Sequence, residues 1–277
     1  MRGVIGDASV DGFLLYKIGI TMLAVLGLSF VAEKYSARLA GLLSGYPIGT
    51  AIILHFYGLE YGAQFAADAA IFNLCGLLAS QCFAYTYDWS AQRTSSLAAP
   101  SVLALGGYLI PAFLVSQTTP SRLTALGIAT IATALFCILF RGQGKQQGAP
   151  SKTWSVGLIA GRMIFTAMLV VVVTEFAGVF GPEWAGLFSA FPVALYPLVF
   201  LLHREHGPKM VHVVLGNFPY GLWSVIAYSL TVSLLYPLYG VILGTLLGFA
   251  AATAVLAIMG IRPFLSFSRQ ARGDKFH

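Results

Sequence analysis

The octapeptide AGLLSGYP, Ala40 to Pro47, sits inside a long apolar run, and a near copy, AGLFSAFP, spans Ala185 to Pro192. A proline inside a helix removes one backbone N–H and clashes with the carbonyl four residues earlier. Within a bilayer the freed groups find no water, so such breaks occur only where protein or a watered cavity surrounds them. The reading of the chain turns on why it carries this break twice.

The surrounding composition defines the class. Of 277 residues, 58% are hydrophobic and 9% charged, against about 25% charged in an ordinary soluble domain. Apolar runs of about 20 residues, each long enough for a hydrocarbon core of about 30 Å, follow one another across short polar gaps. The pattern predicts an all-α, polytopic membrane protein. Nine transmembrane helices are expected, over 12–32, 38–57, 63–87, 97–117, 122–140, 154–177, 183–203, 209–231 and 236–260. The first 11 residues lack a basic n-region, and no A-x-A site follows, so the first helix is read as retained.

The net charge of +6 belongs to loop orientation and is no nucleic-acid footprint. With the N-terminus outside, the inward segments hold Lys34, Arg38, Arg93, Arg141, Lys145, Lys152, Arg204, Lys209, Arg262, Arg269, Arg272 and Lys275, and the outward ones only Arg2 and Arg122. This twelve-to-two split predicts N-out, C-in topology. Cys75, Cys82 and Cys137 all lie in apolar runs and have neither disulfide nor metal spacing, so they read as packing residues.

The octapeptide belongs to a longer repeat. At a fixed offset of 145, Thr21/Thr166, Val25/Val170, Ala32/Ala177, Ala40/Ala185, Gly41/Gly186, Leu42/Leu187, Ser44/Ser189 and Pro47/Pro192 are identical. Lys17/Arg162, Ser29/Thr174 and Tyr46/Phe191 are similar, and Glu60/Glu205 and Gly62/Gly207 continue the register. Five expected spans separate the two units, an odd number, so they are expected in opposite orientation. The predicted organisation is 4+1+4: a four-helix repeat over 12–117, a linking helix and cytoplasmic loop over 118–153, an inverted four-helix repeat over 154–260, and a basic cytoplasmic tail over 261–277. Inverted repeats of this kind recur among transporters.

AGLFSAFP (185–192), YGLWSVIAYSL (220–230) and the upstream base Arg162 give the second unit a resemblance to GlpM, a family of small four-helix bacterial inner-membrane proteins. The first unit shares AGLLSGYP and Lys17, but its third helix, NLCGLLASQCFAY, keeps little of the second motif. The resemblance implies a fused, antiparallel pair of such units in a bacterial inner membrane, and little chemistry. The 4+1+4 plan is also that of fused fluoride-channel proteins, whose motifs are absent here.

Matching breaks in both halves point to a binding site near the membrane midplane. Pro47 and Pro192 each lie about nine residues into a span, roughly 14 Å deep, with Ser44 and Ser189 beside the carbonyls they free. The plain alternative is a proline kink in which Gly and Ala allow close packing. Intramembrane ionisable groups are the second signal. Lys17 and Asp68 are expected at similar depth and as an ion pair. Arg162, the mate of Lys17, has Val213 where a matching carboxylate would stand. It is expected to take an anion or Glu205, or to snorkel to the inner interface. Asn73 and Asn217 are candidate polar linings, with helix–helix hydrogen bonding the plainer role. His55 and His203 fall at expected helix ends.

No nucleophile–base set, metal box or nucleotide loop stands out, so no enzyme, cofactor or metal site is expected. Asp68 reads as the only acid deep in a span. The leading expectation is a secondary carrier for a small, anionic solute, with a proton or sodium ion as candidate coupling ion. The alternatives are an inverted-repeat ion channel and a non-transporting membrane partner or assembly protein.

Overall fold

The structure, a computed structural model, describes residues 12, 15–24, 26–27, 37–94, 96–141 and 156–273. Lys34, Lys145, Lys152 and Lys275, together with Ser29 and Ala32 of the repeat, lie outside the described residues.

The described residues form helices and no strand. In chain order they are α1 (Leu15–Ala24), then α2 (Ala37–Ser44), α3 (Ile48–Glu60), α4 (Ala63–Ala91), α5 (Ala98–Ser116), α6 (Arg122–Leu139), α7 (Val156–Ala190), α8 (Leu195–His206) and α9 (Pro208–Gly273). Six segments among the described residues are long and apolar enough to cross a membrane: Ala40–Glu60, Ala63–Ala91, Ala98–Ser116, Arg122–Leu139, Val179–His206 and Pro208–Ile258. The chain is an all-α protein with the helices of a multi-pass membrane protein.

Boundaries differ from expectation where glycine, not proline, ends a helix. A straight 66-residue α9 would run about 100 Å, three bilayer cores. It folds back at Gly240, whose φ of 77° and ψ of 173° are non-helical. Tyr236 then donates to or accepts from Thr245 at 2.7 Å, and Gly244 and Gly248 lie against the Tyr236 and Tyr228 rings. The break thus falls at the last residue of LLYPLYG, 234–240, the stretch that separates the eighth and ninth expected spans. Pro237 stays inside the helix, because a positive φ is open to Gly240 and closed to proline. Likewise α7 breaks at Gly181 (φ 81°), with Pro182 as the first residue beyond, a position that needs no N–H. The repeat mates Gly62 and Gly207 take φ of 95° and 76° at the α3–α4 and α8–α9 junctions. The segment expected as a tail continues α9 through Gly273.

Packing is centred on α4, which contacts α5, α6, α7 and α9. Its sequence is rich in Ala, and Ala66, Ala69, Ala70, Asn73 and Leu74 are fully buried. Small residues let backbones approach where dispersion, not water exclusion, holds helices together. By contrast α5 and α6 turn Leu103, Ile110, Phe113, Ile131 and Ile138 outward, as does α9 with Leu238, Ile242 and Leu246. These apolar faces suit lipid. Ser121 caps α6, its Oγ accepting from the Thr124 amide at 3.2 Å.

Candidate functional site

Both octapeptides break their helices. The first interrupts Ala40–Glu60 between α2 and α3 at Gly45–Pro47, and the second interrupts Val179–His206 between α7 and α8 at Phe191–Ala194. The two breaks carry the same backbone hydrogen bonds. The Tyr46 amide donates to the Leu43 carbonyl at 3.0 Å, and the Phe191 amide donates to the Phe188 carbonyl at 3.0 Å. Ile48 donates to Tyr46 at 2.7 Å, as Val193 does to Phe191 at 2.7 Å. Ala51 donates to Pro47 at 2.7 Å, as Tyr196 does to Pro192 at 2.9 Å. Donors and acceptors in each pair are 145 residues apart. So the carbonyls expected to be freed, Leu43 and Phe188, are taken locally by a tightened three-residue turn.

The surroundings of the breaks repeat as well. Gly41 abuts the carbonyl of Val214, and its mate Gly186 abuts the carbonyl of Ala69. Gly45 meets Gly221, and Ala190 meets Gly76; each partner is again displaced by 145. Tyr46 shares a hydrogen bond with Thr253 at 2.8 Å, where its mate Phe191 packs edge-on against Tyr108 at 5.0 Å. Thus the segment α2–α3 leans on α9, and the end of α7 leans on α4 and α5.

Carbonyls around the breaks are met by side-chain donors from other helices, as burial in an apolar phase demands. Ser80 Oγ donates to the Ala190 carbonyl, Tyr108 Oη to Leu187, Thr50 Oγ1 to Ser189 at 3.2 Å and Ser224 Oγ to Gly45 at 3.5 Å. Between the breaks lies a cavity of ≈ 30 Å³, room for about one water. It is lined by Ser44, Tyr46, Gly49 and Thr50 from the first break, Ala190 to Ala194 from the second, and the mates Leu77 and Leu222.

The expected site residues separate into groups. Ser44 and Pro192 line the cavity; Pro47 and Ser189 are buried beside it without lining it. Ser44 Oγ donates to its own helix at Ala40, 2.7 Å. Ser189 Oγ donates to Gly186 at 2.7 Å and accepts from Asn73 Nδ2 at 2.8 Å. Asn73 Oδ1 in turn accepts from Ser229 Oγ at 2.7 Å. Asn217 does not mirror this. It donates to Val213 on its own helix at 2.7 Å, because it stands one residue out of register with Asn73.

The charged residues correct two expectations. Lys17 is buried and pairs with Glu60 at 2.5 Å and Glu175 at 3.3 Å, with Thr174 Oγ1 also at 3.3 Å. Asp68 instead accepts from Gln64 Nε2, one turn earlier, at 2.9 Å. Depth alone suggested the Lys17–Asp68 pair; the junction between α3 and α4 brings Glu60 closer. Arg162 is fully buried, so it does not snorkel. Its guanidinium donates to the Ala194 carbonyl at 3.4 Å, at the edge of the cavity. Glu205 lies against Arg204 at 3.8 Å.

A second polar cluster was hidden by a boundary. The third span, expected over 63–87, leaves Asp88 just outside it. α4 runs on to Ala91, and Asp88 is buried within it. His212 Nδ1 lies 2.8 and 2.9 Å from the two Asp88 oxygens and 3.0 Å from the Gln92 amide, tying α4 to α9. Asp68 is thus not the only acid within a span. His203 is buried against Tyr87 Oη at 3.4 Å, and His55 meets Thr245 at 3.2 Å. Among the described residues no group of His, Cys, Asp and Glu could hold a metal ion.

No family model matches the chain, and neither the curated proteins nor the solved structures contain a match.

Proposed function

We propose that this protein is a secondary carrier that moves a small solute through the space between its two broken helix pairs. The observation that carries the reading is the shared cavity. Two breaks with the same hydrogen-bond pattern, 145 residues apart, face each other across it. At ≈ 30 Å³ the space suits an occluded state, with solute entry requiring one half to rock against the other. Arg162, reaching the cavity edge at Ala194, supports an anionic solute. A proton or sodium ion is the candidate coupling ion.

The organisation proposed with it is the nine-span, 4+1+4 inverted repeat, as a fused pair of GlpM-like units in a bacterial inner membrane, N-terminus out and C-terminus in. The recurrence of the Gly41–Val214 contact as Gly186–Ala69 supports it, since symmetry-related halves exchange equivalent contacts. The reading leaves no role for enzymatic chemistry.

One observation favours a second reading, a non-transporting membrane partner: Asn73, Ser189 and Ser229 satisfy one another internally. Solute counterflow separates the two. Purified protein in liposomes preloaded with inorganic phosphate, glycerol 3-phosphate or a C2–C4 carboxylate is given the labelled external anion. The carrier reading expects saturable, trans-stimulated uptake of at least one. No uptake of any of them, from protein that remains folded, supports the partner reading. Uptake that does not saturate supports a channel.

A further inference from the structure

We infer that the open cleft where the end of α4 meets the α8–α9 junction is a recognition site for a phosphoryl group. The cleft has a volume of ≈ 570 Å³, and Gln92, Arg93, Thr94, His203, Arg204 and Pro208 line it. The inference is independent of the transport reading, which concerns the space between the breaks.

Two guanidinium groups arrive from different elements. Arg93 follows α4, and its Nη1 donates to the Trp89 carbonyl at 2.8 Å while the guanidinium lies 4.2 Å from the Trp89 ring centre. These contacts hold it in one orientation and leave further N–H donors to spend. Arg204, near the end of α8, is loosely engaged: Glu205 is 3.8 Å away and the Arg204 side chain is 65% exposed. An arginine fork matches the oxygens of a phosphoryl group, and two of them match a dianion.

The remaining lining adds donors. Thr94 Oγ1 accepts from the Ser96 amide at 3.1 Å, which leaves its proton to donate. His203 uses Nδ1 toward Tyr87, which leaves Nε2. Pro208 begins α9 and lines the cleft, so the positive end of that helix dipole lies at its edge. Among the described residues no carboxylate lines the cleft; Asp88 is engaged by His212, and Glu205 stands 3.8 Å from Arg204. A carboxylate ligand would be served by one fork; two guanidiniums and a hydroxyl lining one cleft favour the tetrahedral, doubly charged group.

Two sources share this chemistry, a free phosphorylated solute and a phospholipid headgroup. The test uses the full chain in maltoside micelles at low ionic strength, titrated calorimetrically with inorganic phosphate and, separately, with dihexanoyl phosphatidic acid below its micelle concentration. Saturable binding of at least one probe is expected, weakened about tenfold or more in Arg93→Gln and in Arg204→Gln, with Arg93→Lys recovering part. Binding of inorganic phosphate assigns a free solute; binding of phosphatidic acid alone assigns a lipid. Arg204→Gln removes an exposed side chain and is expected to melt like the parent, so it decides the matter even if Arg93→Gln misfolds. Binding of neither probe, or binding unchanged in folded Arg204→Gln, overturns the inference.

Discussion

Asn73 donates to Ser189 Oγ at 2.8 Å across 116 residues of chain, and so fastens α4 to the broken end of α7. The same asparagine accepts from Ser229 of α9. One side chain therefore joins both proposed halves directly beneath the second break. Asn73→Ala leaves Ser229 Oγ without its acceptor and removes the donor to Ser189 Oγ, which keeps its bond to Gly186; it is expected to destabilise the protein by about 1–2 kcal/mol, the upper range for such bonds inside a membrane. Ser189→Ala is expected to cost less. Unfolding in mixed detergent micelles of both single variants and the double should show a coupling energy; strict additivity would mean the bond contributes nothing.

Glycine positions offer a sharper contrast. A Cβ on Gly186 would stand 2.6 Å from the Phe72 Cβ and inside contact distance of the Ala69 carbonyl, whereas Gly106 and Gly127 have open space around them. Gly186→Ala and Gly41→Ala are expected to lose about 1–3 kcal/mol through overpacking. Gly106→Ala and Gly127→Ala should be neutral or slightly stabilising, since alanine is the better helix former. Thermal melts in detergent rank the four. Equal behaviour of the two groups would contradict the close helix approach at the breaks.

The lysine in α1 provides a third test. Lys17→Met leaves the Glu60 carboxylate without its 2.5 Å partner and is expected to cost up to about 3 kcal/mol. Combining it with Glu60→Gln should recover much of that loss. Asp68→Asn should change neither, because Asp68 bonds Gln64. If Asp68→Asn instead reproduced the Lys17→Met loss, the partner assignment would be wrong.

Topology is testable without any solute. Reporter fusions after residues 34, 93, 145, 206 and 270 are all expected to report cytoplasm. A reproducible external signal from any one of them would break the proposed alternation of nine spans.

Several features of the site were legible in the chain because they are local and chemical. A proline and a serine recurring in AGLLSGYP and AGLFSAFP marked both breaks, and the structure bends at both. Lys17 and Arg162 stood out as bases within apolar runs, and both are buried. Their partners were not legible, since pairing depends on how helices rotate and dock: Glu60 came from a helix end, not from the matching depth. The Asp88–His212 pair was not legible because the end of α4 extends one turn further than hydropathy indicates, carrying an acid into the packed region. Asn73 and Asn217 stand one residue out of register in the sequence, and that slip is about 100° on a helix, enough to turn Asn217 back onto its own backbone.

The central claim is that the cavity between the breaks opens alternately to the two sides of the membrane. It is tested most directly by placing a single cysteine at Ser44, which lines that cavity, after replacing Cys75, Cys82 and Cys137 by alanine. Membrane-impermeant maleimide is then applied to one side of oriented vesicles at a time. The account predicts slow labelling of Ser44→Cys from each side, with any transported anion shifting the balance between them. Absence of labelling from both sides, in protein that remains folded, would contradict it.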